Sequence, residues 1–89
     1  MMMSIRMLDF YADWCGPCKT QDPILAEIDA EFDDVALEKI DVEADADTAN
    51  EYQVRSLPTV IIEADEGVVD RFVGVTQRES IVAAIEQAR

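Results

Sequence analysis

Cys15 and Cys18 hold Gly16-Pro17 between them and stand at the seam of two differently patterned segments. No other feature constrains the fold as much. Before the seam, Ile5 to Ala12 (IRMLDFYA) is a short apolar and aromatic run, long enough for one buried strand. After it, Cys18 to Phe32 places Ile24, Leu25, Ile28 and Phe32 at helical spacing, with Glu27, Asp29 and Glu31 mostly on the other side. Pro17 suits a first helical turn, where its missing N–H costs nothing, whereas Pro23 lies deeper and should kink the helix. The chain has 2 cysteines. A bridge closing so short a loop removes little unfolded-state entropy, so the pair does not read as a structural staple. It reads as a chemical group mounted where a strand turns into a helix.

A thiolate is the attacking species in disulfide exchange, and a free cysteine with a pKa of about 8.5 is mostly thiol at neutral pH. Placing Cys15 just before a helix aims free backbone N–H groups and the positive end of the helix dipole at its sulfur, and both favour the anion. Cys18, one turn into the helix, should be within reach of Cys15 but less exposed. Cys15 is therefore expected to attack and Cys18 to resolve the mixed disulfide. Two other readings stay open at this point. Half of a zinc site would need four N or S ligands, and the chain has no His and no further Cys, which leaves only a site shared between molecules. Two inert buried cysteines are the other, opposed by Gly16-Pro17 between them and Trp14 before them.

The rest of the chain alternates strands and helices. Val35 to Val42 reads as a second strand, with Leu37 and Lys39 on the opposite face from Glu38 and Ile40. Asp45 to Tyr52 contains Thr48-x-x-Glu51, a capping-box pattern expected to open a short helix. Thr59 to Ala64 is a third strand, turned by Asp65-Glu66-Gly67 into a fourth, Val68 to Val73. Thr76-x-x-Glu79 is expected to cap a final helix with Ile81, Val82, Ile85 and Ala88 on its buried stripe. The predicted fold is α/β, a four-stranded mixed sheet flanked by three helices in the order β-α-β-α-β-β-α, as one domain over residues 1–89. The first β-α-β unit requires a parallel pair with a right-handed crossover, and the last two strands form a hairpin.

Composition narrows the partners. With 20 acidic and 7 basic residues the net charge is −13, which makes nucleic acid and anionic membranes poor partners, because phosphate contacts need clustered Lys and Arg. The same surface suits high salt, where screening relieves its self-repulsion, so a halophilic source is one expectation and plain solubility the other. Neither a signal peptide nor an apolar run long enough to span a bilayer is visible, and the expected location is the cytoplasm.

Trp14-Cys15-Gly16-Pro17-Cys18-Lys19 resembles the active-site signature of thioredoxins. Asp9-Phe10-Tyr11-Ala12 resembles the strand leading into it, with its buried aspartate. Arg55-Ser56-Leu57-Pro58-Thr59 resembles the segment bearing the family's cis-proline, and Val73-Gly74-Val75 resembles its glycine near the dithiol. These blocks occur in order, at matching spacings, across residues 5–89. The resemblance implies a minimal thioredoxin fold and a protein-disulfide reductase, an electron carrier needing no cofactor or metal and recycled by a thioredoxin reductase. It implies a cis peptide between Leu57 and Pro58, and a docking surface for disulfide-containing proteins from Trp14, Gly16, Pro17, Leu57, Pro58 and Gly74. Asp9 is expected to be a buried carboxylate of raised pKa that shuttles a proton for Cys18, and Lys39 a neighbour able to reach and tune it. Gly-Pro between the cysteines resembles the reducing end of the family. Glutaredoxin-like use of a small thiol, an adaptor with an incidental dithiol, and an oxidase or isomerase are the competing functions.

The chain departs from the family at its N-terminus, where typical thioredoxins carry an extra strand and helix. The strand at 35–42 is then a sheet edge, which Glu38, Lys39 and Asp41 would protect from pairing. A monomer is expected, with a dimer through this edge or the less covered sheet face as the alternative. The Met1-Met2-Met3 run leaves open where the chain truly starts.

Overall fold

The computed structural model describes residues 4–89; the Met1-Met2-Met3 run, and with it the expectation about the chain's start, lies outside the described residues. In chain order the elements are β1 (Ile5–Tyr11), α1 (Gly16–Glu31), β2 (Val35–Asp41), α2 (Ala46–Glu51), β3 (Thr59–Ala64), β4 (Gly67–Val73) and α3 (Arg78–Ala88). The sheet order is β2-β1-β3-β4. β1 pairs parallel with β2 and antiparallel with β3, and β3 with β4 form the hairpin. The predicted four-stranded mixed sheet with three helices is the fold of this chain.

Strand alternation sorts the core into two layers. Ile5, Met7, Val60 and Ile62 pack with Leu25 and Ile28 of α1 and with Ile81, Ala84, Ile85 and Ala88 of α3. Leu8, Phe10 and Ile61 turn to the other face, where Ala49 of α2 meets them. Phe10 is fully buried there with its ring tilted against Tyr52 at a centroid distance of 5.6 Å. β1 is central and buried on both faces, so its run of apolar residues is nearly continuous. β2 lies at the edge, as expected, and its Glu38 and Lys39 are exposed.

α1 starts at Gly16, as expected from Cys15 just before the helix and Pro17 in its first turn, and the Cys15 side chain caps it. Two other helix starts are corrected. α2 opens at Asp45, not Thr48: the Asp45 carboxylate accepts from the Thr48 N–H (3.2 Å) and the Thr48 hydroxyl (2.8 Å), so Thr48 sits inside the first turn. An aspartate outcompetes a threonine for the cap because its charge suits the helix N-terminus. Thr76 does not cap α3 either. The N-cap is Gln77 with no side-chain bond, and the Thr76 hydroxyl donates to the Gly74 carbonyl (3.0 Å). β4 also begins one residue early, at Gly67, whose φ of 124° is a backbone shape that L side chains rarely adopt.

Candidate functional site

Cys15 and Cys18 are joined by a disulfide with Cα atoms 5.3 Å apart, and Cys15 is the N-cap of α1. Its Sγ accepts a hydrogen bond from the Cys18 N–H at 3.2 Å. An anion at this sulfur would meet the same N–H and the helix dipole. Contrary to the expectation of unequal exposure, both cysteines are buried, at 4% for Cys15 and 3% for Cys18. Ala12 packs with them, and Tyr11, Val42 and Leu57 cover them. Access is what separates the two. Cys15 lines an open groove of about 580 Å³, together with Trp14, Gly16, Pro17 and Leu57 among others, and Cys18 does not.

The groove also has walls that the sequence reading left out, namely Val42, Val54, Arg55 and Ser56. Val42 and Val54 looked like ordinary strand and loop residues. Only the return of the chain after β2 and after α2 brings them to the cysteines. Trp14 is 68% exposed, far from a core residue, and its Nε1 donates to Glu43 Oε2 at 2.9 Å. Pro58 and Gly74, unlike the adjacent Leu57, are not among the residues that line the groove. The Leu57–Pro58 peptide is cis, and the Gly74 N–H donates to the Pro58 carbonyl at 2.9 Å. Gly74 has φ 85°, so glycine is needed at this junction.

Asp9 lies mid-β1, 1% exposed, on the face it shares with Met7. Neither of its carboxylate oxygens has a hydrogen-bond partner. Burial pushes its pKa from 3.8 up to about 6, against the opposing pull of Lys39 and with a further push from Asp22. In the parallel ladder Lys39 stands directly opposite Asp9, and its Nζ comes to 3.7 Å from Asp9 Oδ2. The lysine does reach the aspartate, but its hydrogen bond goes to Asp22 of α1 at 3.0 Å.

Gln21 was also missed. It is fully buried, donating through Nε2 to the Thr76 carbonyl (3.0 Å) and accepting the Thr76 N–H at Oε1 (2.7 Å). Through Thr76 and Gly74 it ties the cysteine-bearing helix to the Pro58 segment. The signal was present in the sequence, since Gln21 interrupts the buried stripe of Cys18, Leu25 and Ile28.

Comparison with known proteins agrees with this geometry. The model of the thioredoxin family matches residues 3–87. A thioredoxin from Chlamydia caviae is 38% identical over 81 residues, covering 91% of this chain and 79% of that protein. Among solved structures, a mutant thioredoxin from Halobacterium salinarum is 38% identical with a TM-score of 0.86, covering 96% of this chain and 74% of that one. Thioredoxin NaTrxh from Nicotiana alata is 34% identical with a TM-score of 0.89, covering 97% and 74%. Among the described residues no helix is long and apolar enough to cross a membrane.

Proposed function

The chain belongs to the thioredoxin family and is a thiol–disulfide oxidoreductase, and from that premise we propose a complete cycle for reducing protein disulfides. The Cys15 thiolate attacks one sulfur of a substrate disulfide; that bond breaks, and the departing substrate thiolate takes up a proton. Asp9, as a carboxylate, accepts the proton of the Cys18 thiol. The Cys18 thiolate then attacks Cys15 Sγ, forming the internal disulfide and expelling the second substrate thiolate, which takes a proton in turn. Two electrons pass from the dithiol to the substrate, and a thioredoxin reductase or another dithiol donor returns them.

The single observation that carries this reading is the Cys15 sulfur at the cap of α1, bonded to the Cys18 N–H and facing an open groove. The groove is mostly apolar, with exposed Trp14 and with Leu57 among its lining residues, which suits the side chains around a substrate disulfide. Pro58 and Gly74 hold the Leu57 backbone beside it. Purified protein with a dithiol donor is expected to reduce insulin disulfides catalytically, with a flavoprotein reductase supplying electrons better than glutathione does. Faster recycling by glutathione would favour the glutaredoxin-like alternative. Alkylation of the reduced protein at pH 6 no faster than a model thiol peptide would leave only an adaptor.

The surroundings of this cycle follow from charge. A cytoplasmic monomer accords with the charged β2 edge and the net charge of −13. The same charge favours a saline environment: the melting temperature is expected to climb as KCl rises toward molar concentration, because screening relieves repulsion that the folded state concentrates. A melting temperature that stays flat or falls with KCl excludes the halophilic reading.

A further inference from the structure

We propose that Asp22 is a positioning residue for the buried carboxylate of Asp9, holding the Lys39 ammonium partly away from it. The proposal deepens the proton-transfer role given to Asp9 and rests on that reading for its functional meaning. Its structural part stands by itself.

Lys39 faces Asp9 across the β1–β2 ladder, on the same side of the sheet. Nothing in the register prevents a direct hydrogen bond, yet the Nζ–Oδ2 separation is 3.7 Å, beyond hydrogen-bond distance. The ammonium instead donates to Asp22 Oδ1 at 3.0 Å and rests over the Tyr11 ring, 4.9 Å from its centroid. Asp9 is left sealed, at 1% exposure, with both oxygens unbonded. Asp22 and the Lys39 side chain are each 42% exposed, so they meet where water can reach them while Asp9 lies behind. Asp22 also follows Cys18 by four residues on α1, which puts the two on one helix face. The competing carboxylate thus stands one turn from the sulfur whose proton is at issue.

The electrostatics have one sign. A lysine hydrogen-bonded to Asp9 would keep it ionised and make it a poor proton acceptor, as close cations do. Asp22 weakens that hold by taking the hydrogen bond, and its own negative charge acts in the same direction. The charged groups acting on Asp9 are Lys39 from β2 and Asp22 from α1; Tyr11, two residues on along β1, packs under the Lys39 ammonium, and β3 places apolar Val60 opposite Asp9. Asp22 is therefore the acidic group that sets how much of Lys39 the buried carboxylate feels.

The test is a carbon-13 titration of the Asp9 side chain in the oxidised full chain, where the cysteines do not titrate. Asp22→Asn is expected to lower the Asp9 midpoint by about one pH unit, a tenfold change in proton affinity. The same substitution in a Lys39→Met background should move it much less, because there is no ammonium left to release. An unchanged midpoint overturns the proposal, and so does an equal shift in both backgrounds, which would mean that Asp22 acts by bare charge. Turnover against pH separates this from the relay. A lowered Asp9 midpoint with an unaltered turnover profile removes the relay and leaves the positioning of Lys39 standing.

Discussion

Cys15→Ser is expected to abolish disulfide reduction, with a loss of about a thousandfold or more, because a serine hydroxyl at this cap is not ionised at neutral pH and forms no bridge. Cys18→Ser should behave differently. It keeps the attacking sulfur and its place at the groove, so one round of attack proceeds and the mixed disulfide accumulates. The two variants make one experiment: insulin turnover for the rate and intact-mass measurement for the trapped adduct. The cap contact separates the roles further. The Cys15 sulfur accepts the Cys18 N–H and gains from the helix dipole, whereas Cys18 sits a turn inside the helix, behind Cys15 and away from the groove. A Cys15→Ser protein near wild-type rate, or a Cys18→Ser protein that releases product as fast as wild type, would reverse the assignment.

Asp9→Asn should stabilise the protein by about 2 to 3 kcal/mol at pH 7 while slowing turnover about tenfold or more. The sign follows from the raised pKa. The folded carboxyl keeps its proton up to about pH 6, whereas the unfolded one releases it near 3.8. Between those values the unfolded state loses its proton first, so stability falls as pH rises, and above about 6 the full penalty of burying an ionised group is present. An asparagine carries no charge to bury, so the gain is complete at neutral pH. At pH 3.5 the wild-type carboxyl is mostly protonated in both states, and the gain nearly vanishes. Urea unfolding of both proteins at pH 7.5 and pH 3.5 measures it. At the melting point the neutral-pH gain corresponds to roughly 10 to 20 °C for a domain of this size. An equal gain at both pH values, or a loss at neutral pH, would mean that Asp9 is not carrying a buried charge. Turnover of this variant at wild-type speed would remove it from proton transfer.

The stripe of Ile24, Leu25 and Ile28 has one helical solution, and the apolar run from Ile5 has one buried-strand solution, so α1 and β1 follow from periodicity alone. A capping pattern is less binding. Asp45 displaced Thr48, and Thr76 was drawn into bonds with Gln21 and Gly74, because a helix end takes whichever oxygen the neighbouring chain leaves free. Exposure was the least legible property. The two cysteines looked separable by burial, but Tyr11, Val42 and Leu57 close over both, and only the direction of the groove distinguishes them.

The residues themselves determined the order of strands and helices, the reactive pair and its seat at a helix cap, because hydrophobic period and cap chemistry act over a few positions along the chain. Tertiary structure decided who stands beside whom: Asp22 holding the Lys39 hydrogen bond, Gln21 clasped to Thr76, Val42 and Val54 lining the groove at Cys15. Those contacts join positions 17 to 55 apart in sequence, and the strength of a charge or a hydrogen bond depends on distance and burial, which packing alone sets.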